Sequence, residues 1–493
     1  MRTVLVFGDQ LNRRIGALAA ADPGSARVLL VESEQLLGAG KHVQRNHLVI
    51  TAMRRFAAEL EEAGFEVDVR RAPTMRDGIR SHIDDHDPDG LVATEPNSRR
   101  ARQLCDDMGI QQVRSNQFLC HHSDFVNWAD GQKALRMETF YRWTRNRLGY
   151  LMDGEGDPAE GRWNFDEDNR EPPPDDVSMF THPPVSRLDD LDEEVLSGLP
   201  VTHGDEPIGI WATSRRAALA RLDHFITNEL ARFGPYEDAM TSQSWSLAHS
   251  VLSPYLNLGL LMPDEVCDRV EVAYRSGDVP INSAEGFIRQ VIGWREYVWG
   301  LYWLWPDHVD SNVLDHRRDV PPSFTGEAQT DMACVADTID GLRTRAWVHH
   351  IPRLMILSNL ANLYGIEPRS LMDWMLGQYI DGAEWVMVPN VMGMGLWADG
   401  GRMATKPYIS GGAYINRMSD YCSTCTFNPR KRVGEDACPF TTLYWDFLDR
   451  HRERLKANHR MSRPLANLDR LPDLDDVRDR AAFVKRGLRD GRI

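Results

Sequence analysis

Short apolar runs alternate with one long amphipathic stretch in the first part of the chain. Runs of strand length occur at 3–8, 27–33, 66–72 and 90–96. Between the second and third runs, apolar residues recur near helical spacing over 45–64, and Gly64 ends the pattern. Strands that alternate with helices predict a parallel sheet covered on both faces. The predicted fold class is a doubly wound α/β domain.

The rest of the chain has a different pattern. A helix is predicted within 133–151, and a segment rich in Pro, Asp and Gly follows at 153–207, which is typical of a surface linker. From 208 onward the pattern is helical, with frequent Trp, Tyr and Met and no strand pattern. We predict an α/β domain at 1–130, a helix and linker at 131–207, and a large all-α domain at 208–493.

Composition limits the class of protein. The 493 residues are 42% hydrophobic, which suits two or more domains. The formal net charge is −16, which taken alone argues against nucleic acid as a partner, because phosphate binding depends on Lys and Arg. Basic runs at 400–408 and 428–432 leave room for a local basic face, although solvated surface is the simpler interpretation.

The sequence has neither a membrane-spanning pattern nor a signal-sequence pattern. No run of eighteen apolar residues occurs, and the N-terminal apolar stretch is too short for a signal sequence. We therefore predict a cytoplasmic protein without a membrane span, whose seven cysteines form no disulfides. Cys105, Cys120 and Cys267 have no partner at metal-ligand spacing and are interpreted as core residues.

The other four cysteines are spaced as metal ligands. Cys422 and Cys425 form a C-x-x-C pair, Cys438 precedes a proline, and Cys334 lies far upstream. Soft thiolates of this kind bind zinc or iron–sulfur clusters. Structural zinc sites more often have two short-spaced pairs, whereas Cys-Pro ends a bacterial ferredoxin signature. The spacing alone leaves zinc, an iron–sulfur cluster and unliganded core cysteines open.

Polar residues follow the first two predicted strands. Asp9 and Gln10 come after the first strand, and Glu32 and Glu34 stand at the end of the second. Ligands of parallel sheets bind at the carboxyl ends of the strands, so these are candidate ligand contacts, with ordinary loop chemistry as the alternative. No G-x-G-x-x-G follows the first strand, so a dinucleotide-binding Rossmann domain is not indicated.

Stretches of the helical half combine polar with aromatic residues. Residues 233–263 are dense in hydroxyls, and Pro254 after Ser253 is typical of a helix start. Asp381 interrupts an apolar stretch. A buried carboxylate is costly unless it is paired, and we expect Arg295 to be its partner.

Three segments of the helical half resemble the motifs of a known family. The segments S-V-L-S-P-Y-L-N-L-G at 250–259, W-R-E at 294–296 and Y-I-D-G at 379–382 resemble the flavin-binding motifs of the photolyase/cryptochrome family. The resemblance extends from F-G-D-Q-L at 7–11 to the last cysteine. It is closest to the iron–sulfur branch, the bacterial cryptochromes and prokaryotic (6-4) photolyases. It implies a monomer that repairs (6-4) photoproducts in UV-damaged DNA by light-driven electron transfer from reduced FAD.

The resemblance also implies ligand sets. A [4Fe–4S] cluster would be held by Cys334, Cys422, Cys425 and Cys438. FAD would contact Tyr236, Thr241, Ser250, Leu252, Ser253, Gln290, Gly293, Arg295, Trp374, Asp381 and Met387, with Asp381 and Arg295 beside the isoalloxazine ring. An antenna, in this branch 6,7-dimethyl-8-ribityllumazine, would contact Asp9, Gln10 and Glu32.

The adjacent histidines of W-V-H-H are the candidate proton donors. Adjacent histidines in an apolar setting are more often structural than catalytic in an arbitrary protein. In this family the motif lines the lesion pocket, and an imidazole suits proton transfer near neutral pH. The resemblance implies His350 as the acid, with His349 supporting it. It also implies DNA contacts at Lys406, Tyr408, Tyr414 and Arg417, and a Mg²⁺ ion near Asp166 and Asp238.

Some positions depart from the family pattern. Met375 and Ala383 stand where relatives carry tyrosine, and Met387 stands where relatives often carry a polar residue. A tryptophan is expected shortly before Cys334, and the nearest aromatic residue there is Phe324. These changes put the usual electron path in doubt and motivate a second hypothesis, a cryptochrome-type blue-light photoreceptor without repair activity. A zinc-stabilised nucleic-acid-binding protein without photochemistry is the third.

Overall fold

The computed structural model describes residues 1–38 and 40–493. Its N-terminal part contains a fully parallel sheet in the order β3-β2-β1-β4-β5. The strands are β1 (Arg2–Val6), β2 (Ala26–Ser33), β3 (Glu66–Ala72), β4 (Leu91–Thr94) and β5 (Gln111–Val113). In register, Val4 of β1 pairs with Val28 of β2 and Val92 of β4. The chain order reverses between β1 and β4, where ligands of such sheets bind.

The helices account for most of the remaining elements. They are α1 (Gly16–Ala19), α2 (Glu34–Leu37), α3 (Val43–Glu62), α4 (Met75–His86), α5 (Arg99–Asp107), α6 (His122–Asp130), α7 (Met137–Leu148), α8 (Asp190–Gly198), α9 (Arg215–Asn228), α10 (Leu230–Tyr236), α11 (Ser253–Asn257), α12 (Pro263–Arg275), α13 (Ile281–Ile288), α14 (Glu296–Leu304), α15 (Pro322–Thr325), α16 (Ala333–Arg345), α17 (Asn359–Tyr364), α18 (Pro368–Gln378), α19 (Glu384–Val388), α20 (Gly412–Met418), α21 (Pro439–Arg450), α22 (Arg452–Leu455), α23 (Ser462–Leu468) and α24 (Leu474–Arg489). Among the described residues, none of these helices is long and apolar enough to cross a membrane.

Alternate residues of the central strands enter different cores. Val4 and Val28 share a buried cluster with Phe56 of α3. Leu5 and Leu29 share another with residues of α4 and α5. Because side chains alternate along a strand, the sheet buries both faces, as a doubly wound fold requires.

The predicted elements agree with most of this architecture. The four predicted strands and the long helix are confirmed, with ends shifted by a few residues. β5 was not predicted, because three residues give no periodic signal. The segment predicted as a linker contains α8, which begins with a capping box at Asp189 and Asp192. No strand follows β5 in the described part of the chain, as the helical pattern predicts.

Three π-helical segments interrupt the helical part: π1 (Arg289–Arg295), π2 (Pro352–Ser358) and π3 (Pro389–Gly395). π-helical turns are rare and concentrate at functional sites. π1 contains three candidate flavin residues, π2 begins two residues after His350, and π3 begins two residues after Met387. The wide turns therefore mark the region that the motifs predict as functional.

Candidate functional site

A buried ion pair stands at the turn between α18 and α19. Asp381 accepts hydrogen bonds of 2.9 and 3.0 Å from the guanidinium group of Arg353, and one of 2.6 Å from the Ser253 hydroxyl. Arg353 lies in π2 and Ser253 begins α11, so three separate elements meet at one carboxylate. Two parallel N–H···O bonds fix both the energy and the geometry of such a pair.

The prediction that Arg295 pairs with Asp381 is wrong. Arg295 donates to its neighbour Glu296 at 2.7 Å, and both side chains are buried. The guanidinium group lies 4.0 Å from the ring centroid of Phe118, so it points toward the N-terminal part. Burial raises the pKa of Glu296 to about 7, although Arg295 opposes the shift. Arg353 is left as the arginine that reaches Asp381.

Three buried donors of residues predicted to contact flavin have no partner among the described residues. They are Nε and Nη2 of Arg295 and Nε1 of Trp374. Buried donors without partners are uncommon in native proteins and call for an explanation. Polar groups of a bound cofactor such as FAD would satisfy them, so the residues present fit that group.

The other residues predicted to contact flavin lie on several elements of the helical part. Ser250 and Leu252 precede α11, Gln290 and Gly293 lie in π1, and Met387 is buried in α19. Tyr236 packs edge-on against Phe180 at 5.5 Å between ring centroids. The Thr241 hydroxyl donates to Asp420 at 2.7 Å. Their flavin contacts stay predictions.

Replacing Arg353 by methionine is expected to lower the free energy of unfolding by about 3–5 kcal/mol, because Asp381 then keeps a buried charge without its partner. Urea unfolding of the two proteins measures this. Arg369→Met is the matched control, since its ion pair with Asp373 is exposed and such pairs contribute about 1 kcal/mol or less. Equal losses in the two variants would contradict the assignment.

Three imidazole rings lie together beside Asp238. His249 stacks on His349 with 4.0 Å between ring centroids and 23° between planes, and His350 lies 5.6 Å from His249. One ring nitrogen from each histidine lies within 4.8 Å of the other two. His249 and His349 are buried, whereas the side chain of His350 is 49% exposed. His350 is thus the imidazole that a substrate can reach.

Burial separates the chemistry of the three rings. It lowers the pKa of His249 to about 3 and that of His349 well below its ordinary value, so both rings are neutral. Nε2 of His350 lies 3.7 Å from the carboxylate of Asp238. Burial raises the pKa of Asp238, but the contact with His350 outweighs burial, and the pKa lies below its ordinary value. An ionised Asp238 therefore faces the exposed ring.

Two tyrosines of the predicted DNA set share this environment. The charges of Asp166 and Asp238 both act on Tyr408, and that of Asp238 acts on Tyr414. Burial, reinforced by Asp238, raises the pKa of Tyr414 to about 12, so its hydroxyl remains a donor. Arg417 lies over the Tyr414 ring at 5.6 Å. Lys406 and Arg417 are exposed, as residues that meet phosphate must be.

An arginine stands among the acidic residues where a divalent cation was predicted. Arg289 of π1 contacts Asp166 at 2.5 Å, Glu285 at 3.4 Å and Glu237 at 3.5 Å. Burial raises the pKa of Glu237 to about 8 despite Arg289. In the described residues, no group of three close metal-ligating side chains includes Asp166 or Asp238. The magnesium site stays a prediction, and Arg289 already neutralises part of the acidic charge.

The four predicted cysteine ligands line one cavity. Cys334 is the second residue of α16, and Cys422 lies in a short turn at Tyr421–Ser423. Cys438 precedes α21, whose first residue is the proline of the Cys-Pro motif. The cavity volume between them is about 10 Å³, so the thiols are closely packed. A Cβ atom on Gly412 would lie 2.9 Å from Sγ of Cys438, so only glycine leaves this space free.

Four thiols around one space suit a metal centre. With Zn–S bonds of about 2.3 Å, tetrahedral geometry places sulfurs about 3.8 Å apart. Within the described chain, which includes all four cysteines, no three of these sulfurs lie within 4.8 Å of one another. Burial and the neighbouring thiols raise the pKa of Cys334 far above its ordinary value, so a metal is needed to ionise the thiol. Zinc and an iron–sulfur cluster both bind four thiolates, and the identity of the metal stays a prediction.

A polar crevice lies between the ends of β1 and β4. Asp9 accepts from Asn97 at 3.1 Å, and Gln117 donates to the Asp9 carbonyl at 2.7 Å. Gln10 donates to the carbonyl of Glu95, while its Oε1 and Oδ1 of Asn97 are buried without partners among the described residues. Unpaired acceptors at the switch point of the sheet fit a ligand with N–H or O–H donors.

Glu32 lies apart from these contacts. It belongs to β2, and its carboxylate accepts from Nε and Nη2 of Arg54 at 2.7 and 3.0 Å. The pair lines a groove with Glu194 on the side of α3. No contact of Glu32 with Asp9 or Gln10 occurs in the described residues. Its role beside the antenna stays a prediction, and its observed role is to bind Arg54.

Asp9 makes the stability of the antenna-free protein depend on pH. Burial raises its pKa from 3.8 to about 6. Between these values the folded state holds a proton that the unfolded state has lost, so stability falls as pH rises from about 4 to 6. The advantage of Asp9→Asn over the wild type should grow by about 1.4 kcal/mol from pH 5 to pH 7.5. Urea unfolding at both pH values measures it, and a constant difference would contradict the shift.

Phe324 occupies the position next to Trp374, with ring centroids 5.2 Å apart. The phenylalanine therefore stands in the aromatic contact where the family pattern expects a tryptophan. The tryptophan pairs in contact include Trp347 with Trp245 at 5.4 Å and Trp385 with Trp299 at 5.9 Å. Redox-active rings thus remain available outside the expected path.

Comparison with known proteins identifies the family to which this chain belongs. Residues 4–207 match the model of a family described as deoxyribodipyrimidine photo-lyase-related protein. The sequence is 43% identical to the (6-4) photolyase of Agrobacterium fabrum, over 98% of this chain and 99% of the relative. The chain belongs to the photolyase/cryptochrome family.

Solved structures share the family fold. A bacterial class III photolyase from Agrobacterium tumefaciens aligns over 99% of this chain and 98% of its own, with a TM-score of 0.59 and 17% identity. A cryptochrome from Synechocystis sp. PCC6803 aligns over 80% of this chain and 83% of its own, with a TM-score of 0.55 and 15% identity. At these identities the likeness concerns the fold, a parallel sheet followed by a large helical part.

Sequence reasoning missed two residues of this photolyase-family site. Arg353 stands three residues after His350, and the proline between them hinted at a helix start that would aim it inward. His249 lies in the hydroxyl-rich stretch, and nothing in its neighbourhood indicated that it would stack on His349. Both became visible only once separate helices were brought together.

Proposed function

We propose that this protein is a light-dependent (6-4) DNA photolyase. The observation that carries the proposal is the exposed His350, backed by two neutral histidines and faced by Asp238, in a chain 43% identical over its full length to a (6-4) photolyase. The same environment includes Tyr408 and Tyr414, which suit a damaged base turned out of the duplex.

FAD is proposed as the cofactor of the helical part. When bound and reduced, FAD supplies the electron that light promotes to the lesion. Arg353 and Asp381 form a fixed dipole that would orient the ring and bias its charge state. Ser253 holds the Asp381 carboxylate in place, and the unpaired donors of Arg295 and Trp374 offer hydrogen bonds.

The histidines have distinct proposed roles. His350 would hold the proton at Nε2 and deliver it to the lesion, because it is the ring that solvent and substrate can reach. Asp238 would stabilise the protonated ring from 3.7 Å. His349 would orient the pocket wall as a neutral ring, fixed by its stack on His249, whose nitrogens lie 3.0 and 3.1 Å from backbone carbonyl oxygens.

The cysteine cavity is proposed to hold a [4Fe–4S] cluster. Support comes from four thiols around one space and from the Cys-Pro motif that ends a bacterial ferredoxin signature. The cluster would join α16 to the segment before α21. It therefore has a structural role in this proposal, and no electron step is assigned to it.

Two further ligands are proposed, an antenna and a divalent cation. A ribityllumazine antenna would bind in the crevice of Asp9 and Gln10, where buried acceptors lack partners. A magnesium ion would bind near Asp166 and Asp238 only when DNA phosphate adds ligands, since Arg289 already engages Asp166. Lys406 and Arg417 would bind the DNA backbone at the rim.

Preference for damaged DNA tests the substrate. Fluorescence anisotropy in the dark compares a duplex that contains one (6-4) photoproduct with the same duplex undamaged. We expect binding to the damaged duplex to be at least about tenfold tighter, because the disrupted pair is easier to turn out. Tyr414→Ala should reduce that preference. Equal affinity for both duplexes would contradict the proposed substrate.

A further inference from the structure

The first turn of α3 brings a basic side chain from the N-terminal part to the region of Asp381. Arg45 lies in that turn, and its Nη2 donates a hydrogen bond of 2.7 Å to the carbonyl oxygen of Gly382. The same turn is fixed to the helical part by His42, whose amide donates to the Gly377 carbonyl at 2.9 Å. Arg45 is therefore held across the junction between the sheet and the helices.

The charges around Asp381 do not balance. Arg353 already binds this carboxylate through two hydrogen bonds, and Asp381 also acts electrostatically on Arg45. Burial lowers the pKa of Arg45 to about 10. Burial and then repulsion by Arg45 lower the pKa of Lys41 to about 8. Arg353 occupies both oxygens of this carboxylate, so Arg45 keeps a buried charge without an ion-pair partner among the described residues, which is costly unless an anion joins it.

The guanidinium group of Arg45 has N–H donors that bind no described residue. The side chain is half-buried. Its bond to Gly382 is the only side-chain hydrogen bond that it makes to a described residue. The remaining N–H groups of the guanidinium are therefore available to a ligand.

We propose that Arg45 is a cofactor-positioning residue, through which the N-terminal part of the protein supplies positive charge to an anionic group of FAD beside Asp381. The inference rests on the proposed flavin site and extends it across the domain junction. Two anionic groups of the cofactor qualify: the reduced ring system and the diphosphate. Either one removes the imbalance that Arg45 and Arg353 create around a single carboxylate.

Two substitutions separate charge from hydrogen bonding. Arg45→Gln keeps an N–H donor for the Gly382 carbonyl and removes the charge, whereas Arg45→Lys keeps the charge. Arg55→Gln on the same helix is the control, because Arg55 binds Asp189 and Asp192 far from Gly382. The measurements are FAD occupancy, the FAD dissociation constant and the flavin midpoint potential of each purified protein.

We expect Arg45→Gln to bind FAD about tenfold more weakly, with Arg45→Lys and Arg55→Gln near the wild type. A lower midpoint potential in Arg45→Gln assigns the charge to the ring, and weaker binding in both redox states at unchanged potential assigns it to the diphosphate. Wild-type affinity and potential in Arg45→Gln would overturn the proposal. If that variant is insoluble, loss of FAD from folded Arg45→Lys would overturn it instead.

The same measurements distinguish a failure of this inference from a failure of the proposed function. Wild-type protein without FAD would defeat the flavin site itself. Wild-type protein that binds FAD and repairs lesions, together with an Arg45→Gln variant that is unchanged in FAD affinity and potential, would defeat only the role of Arg45.

Discussion

His350→Ala is expected to lower the rate of light-driven (6-4) repair by about 10²–10⁴-fold, the usual contribution of a positioned acid. His350 is the exposed ring of the histidine cluster, and its neighbours His249 and His349 are neutral and buried. No other described histidine of the cluster can take its place at the substrate. Single-turnover repair under saturating light, with chemically reduced protein, measures the rate.

Two controls make that result specific. His86→Ala removes a partly exposed histidine of α4 that contacts Asp68, and it should leave the repair rate unchanged. The FAD content of His350→Ala should equal that of the wild type, because His350 is not among the residues proposed to hold FAD. Repair at the wild-type rate in His350→Ala would show that the proton comes from another group.

Cys425→Ser is expected to remove most of the iron and to lower the soluble yield severalfold. Ligand binding by Cys334, Cys422, Cys425 and Cys438 joins α16 to a segment about ninety residues later, so the energy of metal binding is energy of folding. A loss of a few kcal/mol is enough to change abundance to this extent. Iron analysis and soluble yield after anaerobic purification measure both effects.

The matched control is another buried cysteine. Cys267→Ala changes a core thiol of α12 that lies outside the cluster cavity, and it should keep the iron. A folded Cys425→Ser protein with full yield and no iron would contradict the structural role of the cluster. Zinc in place of iron in the wild type would contradict the cluster itself.

The parts of the site that the sequence predicted share a simple feature. Cys422, Cys425 and Cys438 have local spacing that limits their geometry, and the structure brings Cys334 to them as expected. The central strands β1 and β2 were predicted because both buried faces produce continuous apolar runs. The local sequence pattern was sufficient to predict a feature wherever that feature depends on a single element.

Pairings between distant elements were not predictable in the same way. Only Arg295 was expected to bind Asp381, and the observed pairing with Arg353 depends on how π1 and π2 orient their side chains. Arg289 among three carboxylates, and Arg45 at Gly382, have no sequence signal because their partners come from other elements. These contacts required the packed structure.

Light-dependent repair of a synthetic (6-4) oligonucleotide tests the central claim most directly. The protein is purified anaerobically and reduced chemically, which bypasses the electron path that Phe324 and Met375 alter. We predict loss of the lesion in the light, none in the dark, and none for a cyclobutane dimer in the same sequence. An intact (6-4) lesion after illumination, with FAD and iron both present, would contradict the account and favour a photoreceptor of the same fold.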